Sequence, residues 1–217
     1  MEKMTEFKRA RSEKQKEQRM MDIKQAVDEL FSQMPYHDIT LTTIAKKLNL
    51  TRANLYQYIS TKEDIFLELS ADKRDTYYAA LKAAFPEDNG YSIGVVAEVW
   101  AGIINAHRDY LRYSDILHTI IETNVNVDRL AAFKKRYYEK TDELCSRLSS
   151  QLGISHEDAH NIYLNVHYHA VGIQSISKWN PLISEALAKE NIQVPEIDFR
   201  ENLKAFILMN LNHYCNA

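Results

Sequence analysis

At 217 residues, with 45% hydrophobic and 26% charged side chains but only five glycines and four prolines, the chain excludes an all-β sandwich and a disordered polymer. No apolar run approaches the ~18 residues that span a bilayer, residues 1–7 lack the apolar core of a secretory signal, and Cys145 and Cys215 are too few for a disulfide framework, so a cytoplasmic protein without membrane association is expected. The net charge of −3 divides into +2 for residues 1–67 (12 basic, 10 acidic) and −5 for residues 68–217 (15 basic, 20 acidic), a mildly basic front that suits a polyanion or a solvated helix face equally.

Ile23, Ala26, Val27, Leu30, Phe31 and Met34 form the stripe of an amphipathic helix that Pro35 stops. Thr40 is placed to cap a second helix with Leu41, Ile44, Ala45 and Leu48 on one face. Asn49 tolerates a left-handed turn, and Thr51 can cap a third short helix over 52–59. Thr61 with Asp64 makes a capping-box-like start for a long fourth helix from Lys62 to about Phe85, before Pro86. Val96, Val99, Ile103, Ala106 and Tyr110 mark one further helix. Leu130, Phe133, Tyr137, Leu144, Leu148 and Leu152 mark another, ended by Gly153. Ser155 with Asp158 opens a helix to about Lys178. A looser stretch with Pro181 and Pro195 leads to a last helix from Asp198 to about Tyr214. Eight or nine helices make the chain all-α.

Helix, cap, helix, turn and helix within residues 20–60 is the layout of a helix-turn-helix DNA reader. Ile44 and Ala45, followed by the run from Leu50 through Leu55, Tyr56, Tyr58, Ile59, Lys62, Glu63 and Asp64 to Phe66, resemble the signature of TetR/AcrR-type transcriptional regulators. The motif covers about a fifth of the chain. It departs from the pattern at Asn49 (usually glycine), Ile59 (usually phenylalanine) and the segment Met34, Pro35, Tyr36, where a glycine commonly ends the first helix. The resemblance implies a three-helix reader over 1–66 joined by a long fourth helix to a helical ligand-binding and dimerisation domain over 67–217. It further implies a homodimeric regulator, usually a repressor, that binds a palindromic DNA operator and is released by an unidentified small-molecule effector. The alternative is a helical protein–protein adaptor without specific DNA binding. No enzyme activity and no cofactor are expected.

Residue chemistry gives the carried-over roles a reason. Arg52 can bind guanine bidentately, Asn54 can pair with adenine, Ala53 can touch a thymine methyl, and Gln57 can extend that reading by one turn. Tyr56 and Tyr58 offer hydroxyls to phosphate, Lys62 a charge, and Thr40, Thr42 and Thr43 backbone contacts from the second helix. For ligand binding, Tyr77, Leu81, Trp100, Ile103, His107, Tyr110 and Tyr137 combine apolar bodies with hydrogen-bonding tips and favour a mainly apolar, planar ligand with one or two polar atoms; the same residues also suit ordinary core packing. The helices near 155–178 and 198–214 carry more apolar surface than one packing face requires, with Leu164 and Val171 off the stripe of Ala159, Tyr163, Val166, Ala170 and Ile173. A four-helix interface across a two-fold axis is expected there. His156, Glu157 and His160 spell a zinc motif, with His167 on the face of His160, but Ser155 and Asp158 mark that stretch as an exposed first turn, so no metal site is assigned.

Overall fold

The computed structural model describes the backbone of residues 2–86, 90–177 and 181–215, and the side chains of 13–86, 90–176 and 182–215. Among the described residues there is no strand. The elements in order are α1 (Glu2–Gln33), α2 (Leu41–Lys47), α3 (Arg52–Leu55), α4 (Lys62–Ala84), α5 (Ile93–Ala106), α6 (Arg108–Ile116), α7 (Val127–Leu152), α8 (His156–Ser177), α9 (Pro181–Lys189) and α10 (Phe199–Cys215). A short tight helix at Tyr36–Asp38 follows α1, and a wider turn at Leu117–Ile121 closes α6.

Two compact units result. The first comprises Met1–Leu69 with Ile121–Asn126; the second comprises Ser70–Ile120 with Val127–Ala217. The division falls inside α4.

In the first unit the expected stripe is the core: Ile23, Ala26, Val27, Leu30 and Phe31 are buried with Ile44, Ala45, Leu55, Ile59, Ile65 and Phe66. Capping sets the short helices. Thr40 and Thr43 cap each other reciprocally, the Thr43 amide donating to Thr40 Oγ1 (3.1 Å) and the Thr40 amide to Thr43 Oγ1 (2.9 Å). Asn49 is left-handed (φ 54°), so asparagine does here what the missing turn glycine would do. The Asn54 amide donates to Thr51 Oγ1 (3.2 Å), and Thr61 with Asp64 closes the box that opens α4.

The structure differs from the periodicity in four places. Helix α1 begins at Glu2, about twenty residues ahead of its apolar stripe, because straight-chain Lys, Arg, Glu, Gln and Met are intrinsically strong helix formers. Regular α-helix in α3 stops at Leu55; the amides of Gln57 and Tyr58 donate three residues back, tightening the chain to Ile59. The helix expected to run through Tyr110 breaks at His107, whose amide divides between the Ile103 and Ile104 carbonyls, with no glycine or proline in the sequence to announce it. The stretch after Pro181 contains α9, with proline at the first helical position, where its missing N–H costs nothing.

The second unit is built around α4, α5, α6, α7, α8 and α10, with Leu81, Phe85, Val96, Trp100, Ile104, Leu144, Leu148, Ile162, Val166, Leu203, Ile207 and Leu211 in its core. Gly153 ends α7 in the left-handed conformation (φ 67°). Ser155 caps α8 through the Asp158 amide (3.0 Å), and Asp198 caps α10 through the Glu201 amide (3.0 Å). No described helix is long and apolar enough to cross a membrane.

Candidate functional site

Two features of the first unit place chemistry at its surface. Leu55 is 1% exposed and anchors α3, which leaves Arg52, Ala53 and Asn54 together on the outer side of a single turn. Tyr56, 49% exposed, and Gln57 continue that surface, and Tyr58 is half-buried beside them. The Arg52 guanidinium donates to the Tyr56 hydroxyl (3.0 Å) and lies 5.8 Å from its ring, which pre-orients the long side chain. On α2, Thr42 is exposed and half-buried Thr43 donates its hydroxyl proton to the Thr40 carbonyl (2.8 Å). Thr40 and Thr43 therefore act first as caps.

Lys62 is where the geometry departs furthest from a simple phosphate contact. Its ammonium donates to the carbonyls of Ile39 (2.7 Å) and Tyr36 (3.0 Å) and lies 3.8 Å from the centre of the Tyr36 ring. Tyr36 in turn donates to Glu63 and packs edge-on against Phe66 (5.0 Å). Burial holds the Lys62 pKa below its usual value, against the opposing pull of Glu63. The segment lacking the usual glycine is thus tied to the start of α4 by Lys62, Glu63 and Phe66. Lys62→Met should cost about 1–3 kcal/mol by leaving the Ile39 carbonyl unpaired, whereas the Tyr36 carbonyl keeps the Ile39 amide as a donor. Faster hydrogen exchange in residues 36–66 would register it; unchanged exchange would show the tether to be energetically idle.

The second unit gathers aromatic groups from five elements. Trp100 Nε1 donates to the Tyr77 hydroxyl (2.9 Å), and Tyr77 stacks on Tyr110 (5.4 Å) with His107 at 6.0 Å. His167 is sandwiched between Tyr110 (5.5 Å) and Tyr163 (5.8 Å). The Tyr78 hydroxyl meets those of Tyr163 and Thr141, the latter at 2.9 Å. Burial raises the phenol pKa of Tyr77, Tyr78, Tyr110, Tyr137 and Tyr163, so all five remain neutral hydroxyls. Burial, with the charge of His118 second, pushes His167 down to about 4, so its imidazole is neutral.

Of the seven residues expected to line a ligand site, Tyr77, Leu81, Trp100 and Tyr110 are buried, and Ile103, His107 and Tyr137 are half-buried. Tyr78, Thr141, Tyr163, His167 and Arg74 belong to the same cluster and were not among them. Arg74 is the informative one. It lies on the buried stripe of α4 formed by Leu67, Ala71, Tyr78 and Leu81, and a charge at that spacing is the available signal. Its Nη2 and Nε donate to Asp75 (2.9 and 3.2 Å). Burial alone would raise the Asp75 pKa, but hydrogen bonds and charge from Arg74 and Arg136 outweigh it and hold the carboxyl below its usual value.

The zinc-like motif dissolves on the surface of the same unit. His156 pairs with Asp142 (3.1 Å), while His167 faces the tyrosine stack. Among the described residues no group of three His, Cys, Asp or Glu is placed to hold a metal ion. A separate cleft of about 570 Å³, lined by Arg108, Ile176, Leu187, Val194, Ile197 and Phe199 among others, contains none of the expected ligand-site residues.

The family model described as "Bacterial regulatory proteins, tetR family" matches residues 23–69, and that described as "Tetracyclin repressor-like, C-terminal domain" matches residues 71–212. No curated protein matches the chain in sequence. Among solved structures, a Mesorhizobium loti MAFF303099 protein described as a TetR-family transcriptional regulator superposes with a TM-score of 0.58 at 13% identity, covering 91% of this chain and 95% of its own. The fatty acid degradation regulator FadR of Bacillus halodurans superposes with a TM-score of 0.55 at 13% identity, covering 88% and 94%. At such identities the likeness is one of fold.

Proposed function

From the premise that the chain belongs to the TetR family, matched by family models over most of its length, we propose that it is a sequence-specific DNA-binding regulator, acting as a repressor. Residues 1–66 read a palindromic operator, and residues 67–217 dimerise and bind the effector that releases it. The observation that carries this reading is the exposed turn of Arg52, Ala53 and Asn54, held outward by the Thr51 cap and the buried Leu55. Phosphate contacts come from Tyr56, Tyr58 and Thr42 rather than from Thr43. Lys62 serves mainly to brace the reader.

Arg52→Ala or Asn54→Ala should each weaken operator binding by roughly 1–3 kcal/mol and relax specificity at particular base pairs. Titrating DNA flanking the protein's own gene against random DNA tests this at fixed salt. A wild-type protein that binds both alike and only salt-sensitively would favour the adaptor reading instead.

Dimerisation is assigned to α8 and α10. These helices pack together within one protomer, Asn165 donating to Asn210 (3.0 Å), yet Tyr168, Ile176 and Met209 stay more than half exposed. A dimer by light scattering at micromolar concentration is the expected result; a monomer would remove the two-fold operator from the proposal. Release needs a ligand that prefers one of two states, by about 5.5 kcal/mol for a shift from 1:99 to 99:1. Helix α4, continuous through both units, is the element on which such a preference would act.

A further inference from the structure

The second unit buries a cation whose hydrogen-bonding capacity is unfilled. Arg74 is 1% exposed, and its Cζ lies 5.4, 5.6 and 5.9 Å from the ring centres of Tyr137, Phe133 and Tyr78. Asp75 accepts from Nε and Nη2, whereas the enclosed Nη1 has no hydrogen-bond partner. Buried donors are nearly always paired, and a charged one all the more so.

The local charge is unbalanced in the same direction. Asp75 also receives Arg136 and Lys140, the latter at 3.3 Å, so one carboxylate serves three cations. Arg136 is about half exposed and Lys140 about one-third, while Asp75 is mostly covered, which places the surplus positive charge from the surface inward to Arg74. The Tyr78 ring borders Arg74, and the Tyr78 hydroxyl meets the neutral hydroxyls of Thr141 and Tyr163.

We propose that Arg74 Nη1 is the anion-binding point of the effector site, and that the effector is a monocarboxylic acid with an apolar body. This rests on the reading of the chain as a ligand-released regulator and deepens it. The carboxylate pairs with Nη1 beside the tyrosine hydroxyls, and the body packs among Phe133, Tyr137 and Tyr78. Arg136 and Lys140 draw the acid in by charge. Half-buried Tyr137 is the ring beside which it reaches the guanidinium. A dianion fits less well, because one amino group among aromatic rings cannot replace the hydration of a second charge. The ligand expected from the aromatic and neutral side chains, mainly apolar and planar with one or two polar atoms, is thereby given a charge.

The test uses the full chain and two matched pairs of probes, octanoate against octanamide and phenylacetate against phenylacetamide, with affinities measured by ligand-observed NMR. At low salt at least one acid should bind about tenfold or more tightly than its amide. Arg74→Met should bring acid and amide together, and Arg136→Gln with Lys140→Gln, both at the exposed end, should weaken the acid by a few-fold. Amides binding as well as acids, an undiminished preference in Arg74→Met, or no binding of either acid at about 5 mM overturns the proposal. Should Arg74→Met fail to fold, the Arg136→Gln/Lys140→Gln double variant decides it: unchanged acid affinity and salt dependence overturn it. Specific DNA binding by the wild type is measured in parallel. Its absence removes the regulator reading whatever the acids do, and its presence with no acid preference removes the anion point alone.

Discussion

Replacing Trp100 by alanine should lower the unfolding free energy by about 3–5 kcal/mol, the range for deleting a large aromatic side chain from a closed core. Trp100 is completely buried, contacts the core of α4 and α5, and donates to Tyr77. The alanine variant therefore opens a cavity and strands a buried hydroxyl. Trp100→Phe should cost less, because it retains most of the ring volume and loses mainly the hydrogen bond. Urea unfolding followed by circular dichroism measures both. The result bears directly on function, since the tyrosines and tryptophan were expected to form a pocket wall. A loss below about 1 kcal/mol for Trp100→Ala would mean that the side chain lines an adaptable space. A loss in the full range would make it a support for the polar cluster around Tyr78, Tyr163 and Arg74.

Acidification from pH 6.5 to about 4 should remove roughly 3 kcal/mol of stability through His167 alone. The sign follows from where the proton goes. In the unfolded chain the imidazole titrates near its usual 6.5, whereas in the fold burial and then His118 push it down to about 4. Between those values the unfolded state binds a proton that the folded state refuses, so stability rises with pH across the window and is complete above it. The groups facing the ring are Tyr110 from α6 and Tyr163 and Tyr168 from α8, none of which supplies a carboxylate to offset the charge. Carboxylates with lowered pKa values, such as Asp75, Glu98 and Glu143, lose their contribution as pH falls below the ordinary carboxylate range, mostly beneath this window. His167→Phe keeps the ring stack and abolishes the titration. Urea midpoints at pH 7 and pH 4.5 should fall steeply for the wild type and hardly at all for the variant; equal slopes would show that His167 is charged in the fold.

Much of the reader could be read from local chemistry. Thr40, Thr51 and Thr61 cap where cap residues precede an apolar stripe, Asn49 turns where a short polar side chain tolerates positive φ, and Leu55 points inward by helical period. Each of these signals acts within four residues, which is the range over which sequence spacing has a fixed geometric meaning. The break at His107 carried no such signal, nor did the partners of Lys62, whose nearer carbonyl lies 23 residues away.

The chain by itself determined an all-α class, the helix-turn-helix layout and the face of α3 that meets solvent, because helical period and capping are local properties of backbone and side chain. Only the tertiary structure decided that Lys62 braces Tyr36 and Ile39, that His167 lies between two tyrosines from different helices, and that Arg74 is enclosed by rings from α4 and α7 with Nη1 unpaired. The reason is physical. Whether a charged or aromatic group on a helical stripe is a satisfied core residue or an unfilled binding point depends on what the opposing helices bring to within a few ångströms of it, and no spacing along one helix encodes that.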